Sequence, residues 1–397
     1  MMITFKEALQ KVLEQTLDLG KEEVTLMKSL NRILAEDIQA DRDFPPFNRA
    51  TKDGIAISYS NLVNTPHKFK IEGEATAGAR QQILNNKVNC LEVMTGAVVP
   101  ENADTVVMYE HITLVNGEVV INENVIRGQN IHYKGSDKKQ GSIVITKETK
   151  ISPAEIGVMA SVGSSQVMVK ANPKICTIAT GNELVDIDVL PEPHQIRKSN
   201  MLTIEAALAT VEIQATSLHI DDDKETIRHG LKKALIENDV LLLSGGVSMG
   251  KFDFIPEVME ELGVEKVFHK VAQRPGKPFW FGIHNESKTV IFSFPGNPVS
   301  TFANYHLYFL PWLHKSWDIP IEKSYIKLSI ELLITPSLTR FIQVKSTWKD
   351  GSLWATPVVE NGSGDLTSLA QADGFICLEP RDEAYRVGEA VPFVITR

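Results

Sequence analysis

Apolar and polar positions along this chain change rhythm several times, and each change marks a different kind of element. Near the start, Phe5, Ala8, Leu9, Val12 and Leu13 recur at helical spacing. Thr4 with Glu7 has the form of a capping box, so a helix is predicted from Thr4 to about Leu17. A second helix is predicted from Val24 to Asp37. The stretch DRDFPPF, residues 41–47, carries two prolines that interrupt regular structure, and it reads as a domain crossing. From about Pro45 to Gln140 the pattern shortens to β segments: HKFKIEG, CLEVMTG, TVVMYE and HITLVNGEVVI. Asn116-Gly117 between two of these runs predicts a hairpin. The stretch from Ser142 to Val169 is mixed, with a helix start at Ser152-Pro153-Ala154-Glu155.

Between Pro173 and Leu313, strands and helices alternate. The predicted strands are KICTIAT, EIQATSLHI, VLLLSGG, KVFHKVA and TVIFSF, and the predicted helices begin near Ser199, Asp222, Phe254 and Pro298. Alternation of this kind predicts βαβ units around a parallel sheet. VLLL and VIFSF are apolar without a break, as expected of strands covered on both faces. From Ile321 to Arg397 the pattern is β-rich again, with Asp350-Gly351 marking another hairpin.

Three of the predicted strands run into glycine-rich turns: Thr180-Gly181-Asn182-Glu183, Ser244-Gly245-Gly246-Val247-Ser248, and Pro295-Gly296-Asn297-Pro298. In an open α/β sheet, ligands bind outside the carboxyl ends of the strands, so these turns predict one shared crevice. Glycine backbones can form a nest for an anion, with Ser244 and Ser248 adding hydroxyls. A tight strand-to-helix turn is the plainer alternative. Asp253 could ligate a hard cation or cap the next helix. Glu183 could bind metal, act as a base, or simply favour a helix start. Asp222 heads Asp222-Asp223-Lys224-Glu225, which reads as a capping box, and capping leaves the same carboxylate able to face the crevice. Gln273-Arg274-Pro275-Gly276-Lys277-Pro278 presents two cations on a stiff loop, with Lys270 upstream, and suits phosphate better than a merely solvated turn. Asn297, Ser300 and the N–H groups at the last helix start are further anion candidates. Thr51-Lys52-Asp53-Gly54 and the loop from Met94-Thr95-Gly96 to Asp104 look like turns, and neither demands chemistry alone.

Bulk properties narrow the field. The chain has 397 residues, room for several domains, and a net charge of −9 that argues against nucleic-acid or membrane-surface partners. An anionic ligand must therefore be attracted locally. Three separated cysteines (Cys90, Cys176, Cys377) fit no disulfide framework and read as buried thiols. No signal-like start and no spanning apolar run is present, so a soluble, cytoplasmic protein is expected.

Taken in order, FPPFNRATKDGIAI, MTGAVVPENADTVVMYE, GQNIHYKGSDKKQGS, ATGNEL, SGGVSMGKFDF, RPGKPFWFG and FPGNPVS resemble the MoeA family of molybdopterin molybdenumtransferases, which includes the E domain of gephyrin. The resemblance covers nearly the whole chain. It implies a multidomain α/β plus β protein. An extended linking domain would take residues 22–44 and 141–172, and a β insert residues 45–140. An α/β domain like that of molybdopterin adenylyltransferases would take residues 1–21 and 173–320, and a C-terminal β domain residues 321–397. It implies transfer of molybdenum from molybdate to adenylylated molybdopterin with release of AMP, and Mg²⁺, replaceable by Zn²⁺, as cofactor. It also implies a homodimer whose sites join the α/β domain of one subunit to the insert of the other, and contacts with molybdopterin adenylyltransferase and molybdoenzyme maturation proteins.

Carried over by motif, Asp53, Thr95, Asp222 and Asp253 would be catalytic, and Glu183, Asp222 and Asp253 would hold metal. Gly181, Ser244, Gly245, Gly246, Ser248, Lys270, Arg274, Gly276, Lys277, Pro295, Asn297 and Ser300 would bind the pterin and its nucleotide. The chain departs from the family pattern at Asn48, Ala50 and Lys52, where Asp, Ser and Met are common. It departs again at Ala179 and Asn182, usually Ser and Asp, and at Gln343, often Arg. These departures leave open a non-catalytic molybdopterin-binding protein on the same fold, and the likeness of the α/β domain to molybdopterin adenylyltransferases leaves open that activity as a second alternative.

Overall fold

A computed structural model describes residues 2–62, 68–247, 253–334 and 338–397. The chain divides into two compact units: Met1–Glu22, Asn31–Ile33 and Val169–Arg397 form one, and Glu23–Leu30 with Leu34–Met168 form the other.

The first helix, α1 (Phe5–Leu13), is closed by the expected box, with Thr4 Oγ1 accepting the Glu7 N–H at 3.2 Å and Glu7 Oε2 accepting the Thr4 N–H at 2.8 Å. It stops short of Leu17, yet Leu17 and Leu19 still pack on the same core as Ala8 and Val12. The helix predicted over residues 24–37 does not form. Lys21–Thr25 is a strand, Leu26–Ser29 a 3-10 turn, and Asn31 takes a left-handed backbone at φ 64°. The reason is distant partners: the Leu26 N–H goes to Ser165 O, Leu34 to Thr149 O and Ala35 to Met168 O. Apolar spacing in this segment serves burial, while its backbone is satisfied from elsewhere.

The smaller unit holds a six-stranded sheet. Its strands are β1 (Gly54–Ile57), β2 (Lys68–Ala75), β3 (Cys90–Val93), β4 (Thr105–Met108), β5 (Ile112–Val115) and β6 (Glu118–Ile121), in the order β4-β1-β3-β2-β6-β5. Asn116-Gly117 closes the β5–β6 hairpin, both residues at positive φ. At Gly54 a side chain would run into the Val107 carbonyl, so glycine is what allows β1 to lie beside β4. The helix α2 (Pro153–Ser161) starts at Ser152, as its sequence predicts, with a capping box.

The larger unit contains the sheet that carries the glycine turns. Its elements in chain order are β7 (Ile175–Thr180), α3 (Ser199–Ala209), β8 (Thr216–Ile220), α4 (Lys224–Glu237), β9 (Val240–Ser244), α5 (Ile255–Glu261), β10 (Val264–His269), β11 (Trp280–His284) and β12 (Thr289–Phe294). They are followed by α6 (Pro298–Asn304), a π segment (Tyr305–Phe309) and α7 (Leu310–Ser316). The strand order is β8-β7-β9-β12-β11-β10.

Strands β8, β7, β9 and β12 are parallel, but β11 runs antiparallel to both its neighbours, so the sheet is mixed rather than purely parallel. The physical cause is the short link at residues 285–288, which permits only a hairpin. One face packs Ile175, Leu242 and Phe292 against α1, α3 and the π segment; the other packs Cys176, Leu241 and Ile291 against α4 and α5. Burial on both faces explains the unbroken apolar runs.

The C-terminal strands β13 (Ser324–Leu328), β14 (Thr339–Lys349), β15 (Ser352–Pro357), β16 (Gly374–Leu378) and β17 (Ala390–Ile395) pair in a ring, β14-β15-β13-β17-β16, closed by β16 on β14. Asp350-Gly351 forms the predicted β14–β15 turn. Gln273–Arg274 adds to this ring as a short strand parallel to β14. All three cysteines are free, Cys90 and Cys176 buried and Cys377 half-buried. Burial pushes the Cys90 and Cys377 thiols up to about 12.

Candidate functional site

Strand β7 is followed in the sheet by β8 on one side and β9 on the other, so the order reverses between β7 and β9. That switch point is where an open α/β sheet leaves a crevice at its carboxyl edge. The register aligns Ala179 with Ser244 and Ser244 with Phe294, which sets the three glycine turns side by side. A Cβ on Gly245 (φ +100°) would lie 2.8 Å from both the carbonyl and the hydroxyl of Thr180. A Cβ on Gly296 would lie 3.8 Å from Gly245 Cα. The turns thus touch, and they border a crevice lined by Thr180, Glu183, Lys198, Asn200, Ser244 and Pro298.

Asn200 ties two of the turns together. Its Nδ2 donates to Ser244 Oγ at 2.9 Å and to Gly296 O at 2.7 Å. Its Oδ1 and the Thr180 Oγ1 are buried without a protein partner, a costly state that a ligand's polar groups would relieve. The nest reading needs correction at two glycines. The Gly245 N–H is taken by Phe294 O and the Gly181 N–H by Ile220 O, so both are engaged within the sheet. At these positions glycine serves close backbone approach instead. Gly246 (φ +67°) does the same for α5, since a Cβ there would lie 2.5 Å from Ile255 Cγ1. Ser248 lies outside the described residues. Pro295 gives its carbonyl to Thr301 Oγ1 at 2.6 Å, fixing the third turn to α6.

Acidic groups gather beside the first turn. The Glu183 carboxylate covers Gly181, with Oε2 2.5 Å from where a Cβ would stand. The Asp222 N–H donates to Asn182 Oδ1 at 3.0 Å. Asp222 is not the cap of α4: Asp223 is, with Oδ1 accepting the Thr226 N–H at 2.8 Å. Released from capping, the Asp222 carboxyl sits above the usual carboxylate range. Burial is the main cause, followed by repulsion from Glu183, Asp253 and Asp221, and a bond from the Asn182 N–H opposes them. Asp253 is not the cap of α5 either, since Phe254 holds that position. Among the described residues no three acidic, histidine or cysteine side chains converge closely enough to ligate one ion.

The basic loop is built from the other direction. Gln273 and Gly276 are buried while Arg274 and Lys277 are exposed, so the cations face outward from a held backbone. The β-register sets Arg274 beside Arg340. Burial and then the Arg274 charge disfavour the charged form of Arg340, with Glu360 acting the opposite way. Two neighbouring guanidinium groups are a natural clasp for an oxyanion. The Gly276 N–H donates to Ser300 Oγ at 3.2 Å, and Ser300 is itself buried, which gives it a positioning task. The next residue, Thr301, lies 3.4 Å from Ser244 Oγ, so basic loop and crevice share one helix start. Asn297 donates its Nδ2 to Ser363 Oγ at 2.9 Å. Lys270 adopts φ +73°, its N–H bonded to Phe279 O.

Sequence reasoning missed Asn200, Arg340 and His269. The His269 Nε2–H donates to the Val247 carbonyl at 3.1 Å, and burial lowers its pKa, so it is a neutral brace for the second turn. Only Arg340 had a readable signal, its place in RFIQVK, where Gln343 drew notice instead.

Asp53 and Thr95 belong to the smaller unit, and the structure brings these two together. Asp53 Oδ1 accepts the Thr95 N–H at 2.6 Å, and with the Thr95 hydroxyl this holds the exposed carboxyl below its usual range. The departures nearby are structurally quiet. Asn48 Oδ1 accepts the Lys134 N–H at 2.9 Å, a bond that a carboxylate would also make. Ala50 is fully buried and Lys52 exposed. Gln343, also fully buried, donates to Glu360 Oε2 at 2.7 Å and Ser368 Oγ at 2.8 Å.

Residues 3–163 match the MoeA N-terminal region (domain I and II), residues 176–315 a probable molybdopterin binding domain, and residues 327–395 the MoeA C-terminal region (domain IV). A Synechocystis molybdopterin molybdenumtransferase is 38% identical over 396 residues, covering 99% of both chains. A Staphylococcus aureus protein of the same name is 31% identical over 402 residues, covering 99% of this chain and 96% of its own. The crystal structure of a molybdopterin biosynthesis MoeA protein from Pyrococcus horikoshii superposes with a TM-score of 0.84 at 30% identity, over 100% of this chain and 99% of that one. With family regions matched along almost the whole chain and relatives alike from end to end, the chain belongs to the MoeA family.

Proposed function

We propose that this protein is a transferase that inserts molybdenum from molybdate into adenylylated molybdopterin and releases AMP. One observation carries the reading. The Gly181, Gly245 and Gly296 turns meet at a switch-point crevice tied to both an acidic cluster and the Arg274–Arg340 pair, in a chain that resembles named molybdopterin molybdenumtransferases over its full length. The unpartnered Asn200 Oδ1 and Thr180 Oγ1 are available to polar edges of the pterin or nucleotide. Cleaving the bond to AMP builds charge on phosphate oxygens, and fixed cations lower that barrier by stabilising the charge as it forms. Arg274 and Lys277 supply these cations, and Arg340 joins Arg274 in holding molybdate, a second oxyanion.

Mg²⁺, or Zn²⁺ in its place, fits the chemistry of the acidic donors. Asp222, whose carboxyl is raised partly by Glu183 and Asp253, would hold it with one of those neighbours at most, and substrate phosphate oxygens would supply the remaining ligands. When bound, the ion would neutralise charge on the phosphate oxygens. Asp53, kept ionised by Thr95, would orient or deprotonate an attacking oxygen in the partner protomer's site, which makes a homodimer the working form.

The same reading divides the chain into four domains: 22–44 with 141–172, 45–140, 1–21 with 173–320, and 321–397. It places the work in the cytoplasm, beside molybdopterin adenylyltransferase and molybdoenzyme maturation proteins. Among the described residues no helix is long and apolar enough to cross a membrane.

The test is direct. Full-length protein is incubated with adenylylated molybdopterin, molybdate and Mg²⁺, and AMP and molybdenum-bearing cofactor are measured. Both should appear together. Tight ligand binding with neither product would establish a non-catalytic binder, and net adenylylation of molybdopterin by ATP would establish an adenylyltransferase.

A further inference from the structure

The loop that carries Arg274 and Lys277 has little regular structure to hold it, yet the backbone of Pro275 and Gly276 is bonded from within. The Gln273 side chain donates through Nε2 to Pro275 O at 2.9 Å and to Asn304 Oδ1 at 2.9 Å, while its Oε1 accepts from the Tyr308 hydroxyl. Asn304 Nδ2 reaches Gly276 O at 3.4 Å, and the Gly276 N–H reaches Ser300 Oγ at 3.2 Å. Gln273, Asn304 and Tyr308 are fully buried. Ser300, Asn304 and Tyr308 recur every four residues along α6 and the π segment, so one helical stripe supplies most of the bonds. A π segment inside an α-helix is a feature often found at functional sites. Gly276 (φ +87°) completes the fit, because a Cβ there would strike Asn304 Oδ1. The Tyr308 ring, 4.6 Å from Phe279 between centroids, is locked by packing, and burial pushes its phenol well above its usual range, so the hydroxyl stays a donor.

We infer that Gln273, Asn304 and Tyr308 form a positioning network that presets the backbone between Arg274 and Lys277 and thereby sets the affinity of this loop for an oxyanion. The inference rests on the functional reading above for the identity of that oxyanion as molybdate. All three are fully buried behind the loop, so their effect on an anion at Arg274 and Lys277 would be indirect. Their effect is preorganisation: with the loop fixed, Arg274 and Lys277 lose less freedom when the anion arrives. Were the network only structural, anion affinity would follow stability.

Two full-length variants separate the cases, with molybdate titrated calorimetrically and unfolding followed thermally. Tyr308→Phe removes one hydroxyl and strands Gln273 Oε1; it should lower the melting temperature and weaken molybdate about tenfold, a typical effect of lost preorganisation. The KM for molybdate should rise in step while kcat stays within about twofold. In the double variant Gln273→Leu/Tyr308→Phe the stranded Gln273 Oε1 is gone, but Pro275 O and Asn304 Oδ1 lose their donor, so the melting temperature should stay low and molybdate binding should stay weak even well below it, where the variant is folded. Wild-type affinity in either variant overturns the inference.

If both variants fail to fold, amide exchange of the wild type decides. A protected Gly276 N–H, further slowed by molybdate, supports the network, and rapid exchange there rejects it. If the wild type binds no molybdate at all, the functional reading fails, and Gly276 exchange in the bare protein then judges the network alone.

Discussion

The two halves of the candidate machinery hold their acids and bases in opposite ways. In the α/β sheet the functional turns touch one another through bare glycine backbones, and their polar side chains are braced by half-buried Asn200 and by the buried Gln273 and Asn304. In the smaller unit Asp53 is exposed and is held chiefly by Thr95, through its N–H and hydroxyl. Site and fold therefore coincide in the first half and are separable in the second. A substitution at a glycine turn should damage stability and chemistry together, whereas one at Asp53 should damage chemistry alone.

The largest effect is expected at Gly245. Gly245→Val would force a side chain toward the Thr180 carbonyl, 2.8 Å from the Cβ position, at a φ that L-residues avoid. A cost of about 2–4 kcal/mol is expected, with loss of ligand binding, read by thermal unfolding and nucleotide titration. A stable and active Gly245→Val variant would erase the contrast between the halves. Asp53→Asn tests the opposite limb. The Asn side chain still accepts the Thr95 N–H, so the melting temperature and substrate affinity should hold while turnover drops about a hundredfold or more. Mixing Asp53→Asn subunits with Asp253→Asn subunits sharpens it further. If each site draws on both protomers, random heterodimers regain one intact site, so about a quarter of full activity should return from two inactive parents. No recovery, with subunit exchange verified, would place both residues in one protomer's site. Arg340→Gln should act more mildly, weakening molybdate about tenfold by removing one half of the Arg274–Arg340 clasp, with little change in nucleotide affinity.

The same contrast explains what could be read from sequence. Hairpins at Asn116-Gly117 and Asp350-Gly351, the capping box at Thr4, the helix start at Ser152, and the strands ending at Thr180, Ser244 and Phe294 are local patterns, and they form where expected. The adjacency of the three turns was also legible, because parallel strands all end at one edge. The segment 24–37 was not, because its backbone partners Ser165, Thr149 and Met168 lie more than a hundred residues away in sequence. Asp222 was misread by one residue, since a run of three aspartates offers several caps and only the backbone turn selects Asp223. Arg340 and Asn200 gain their meaning from register and from contact across elements, which no local spacing encodes. The antiparallel β11 was within reach, because the short link at residues 285–288 excludes a crossover.

Asp222 offers the smallest and most discriminating effect. Its carboxyl is raised above the ordinary aspartate value, first by burial and then by repulsion from Glu183, Asp253 and Asp221, so the folded protein binds that proton more tightly than the unfolded chain does. The sign follows from linkage: as pH rises from about 4 through the raised pKa, the unfolded state ionises more readily, and stability is lost. Asp222→Asn removes that loss. The variant should therefore melt slightly higher than the wild type near neutral pH in the absence of divalent ions, and the gap should close on acidification toward pH 4. Adding Mg²⁺ should raise the wild type and leave the variant unmoved, because only the wild type has the full set of acids to neutralise. A lower melting point for the variant at neutral pH would mean that Asp222 is a structural acid, and the acidic cluster beside Gly181 would lose its claim to a metal.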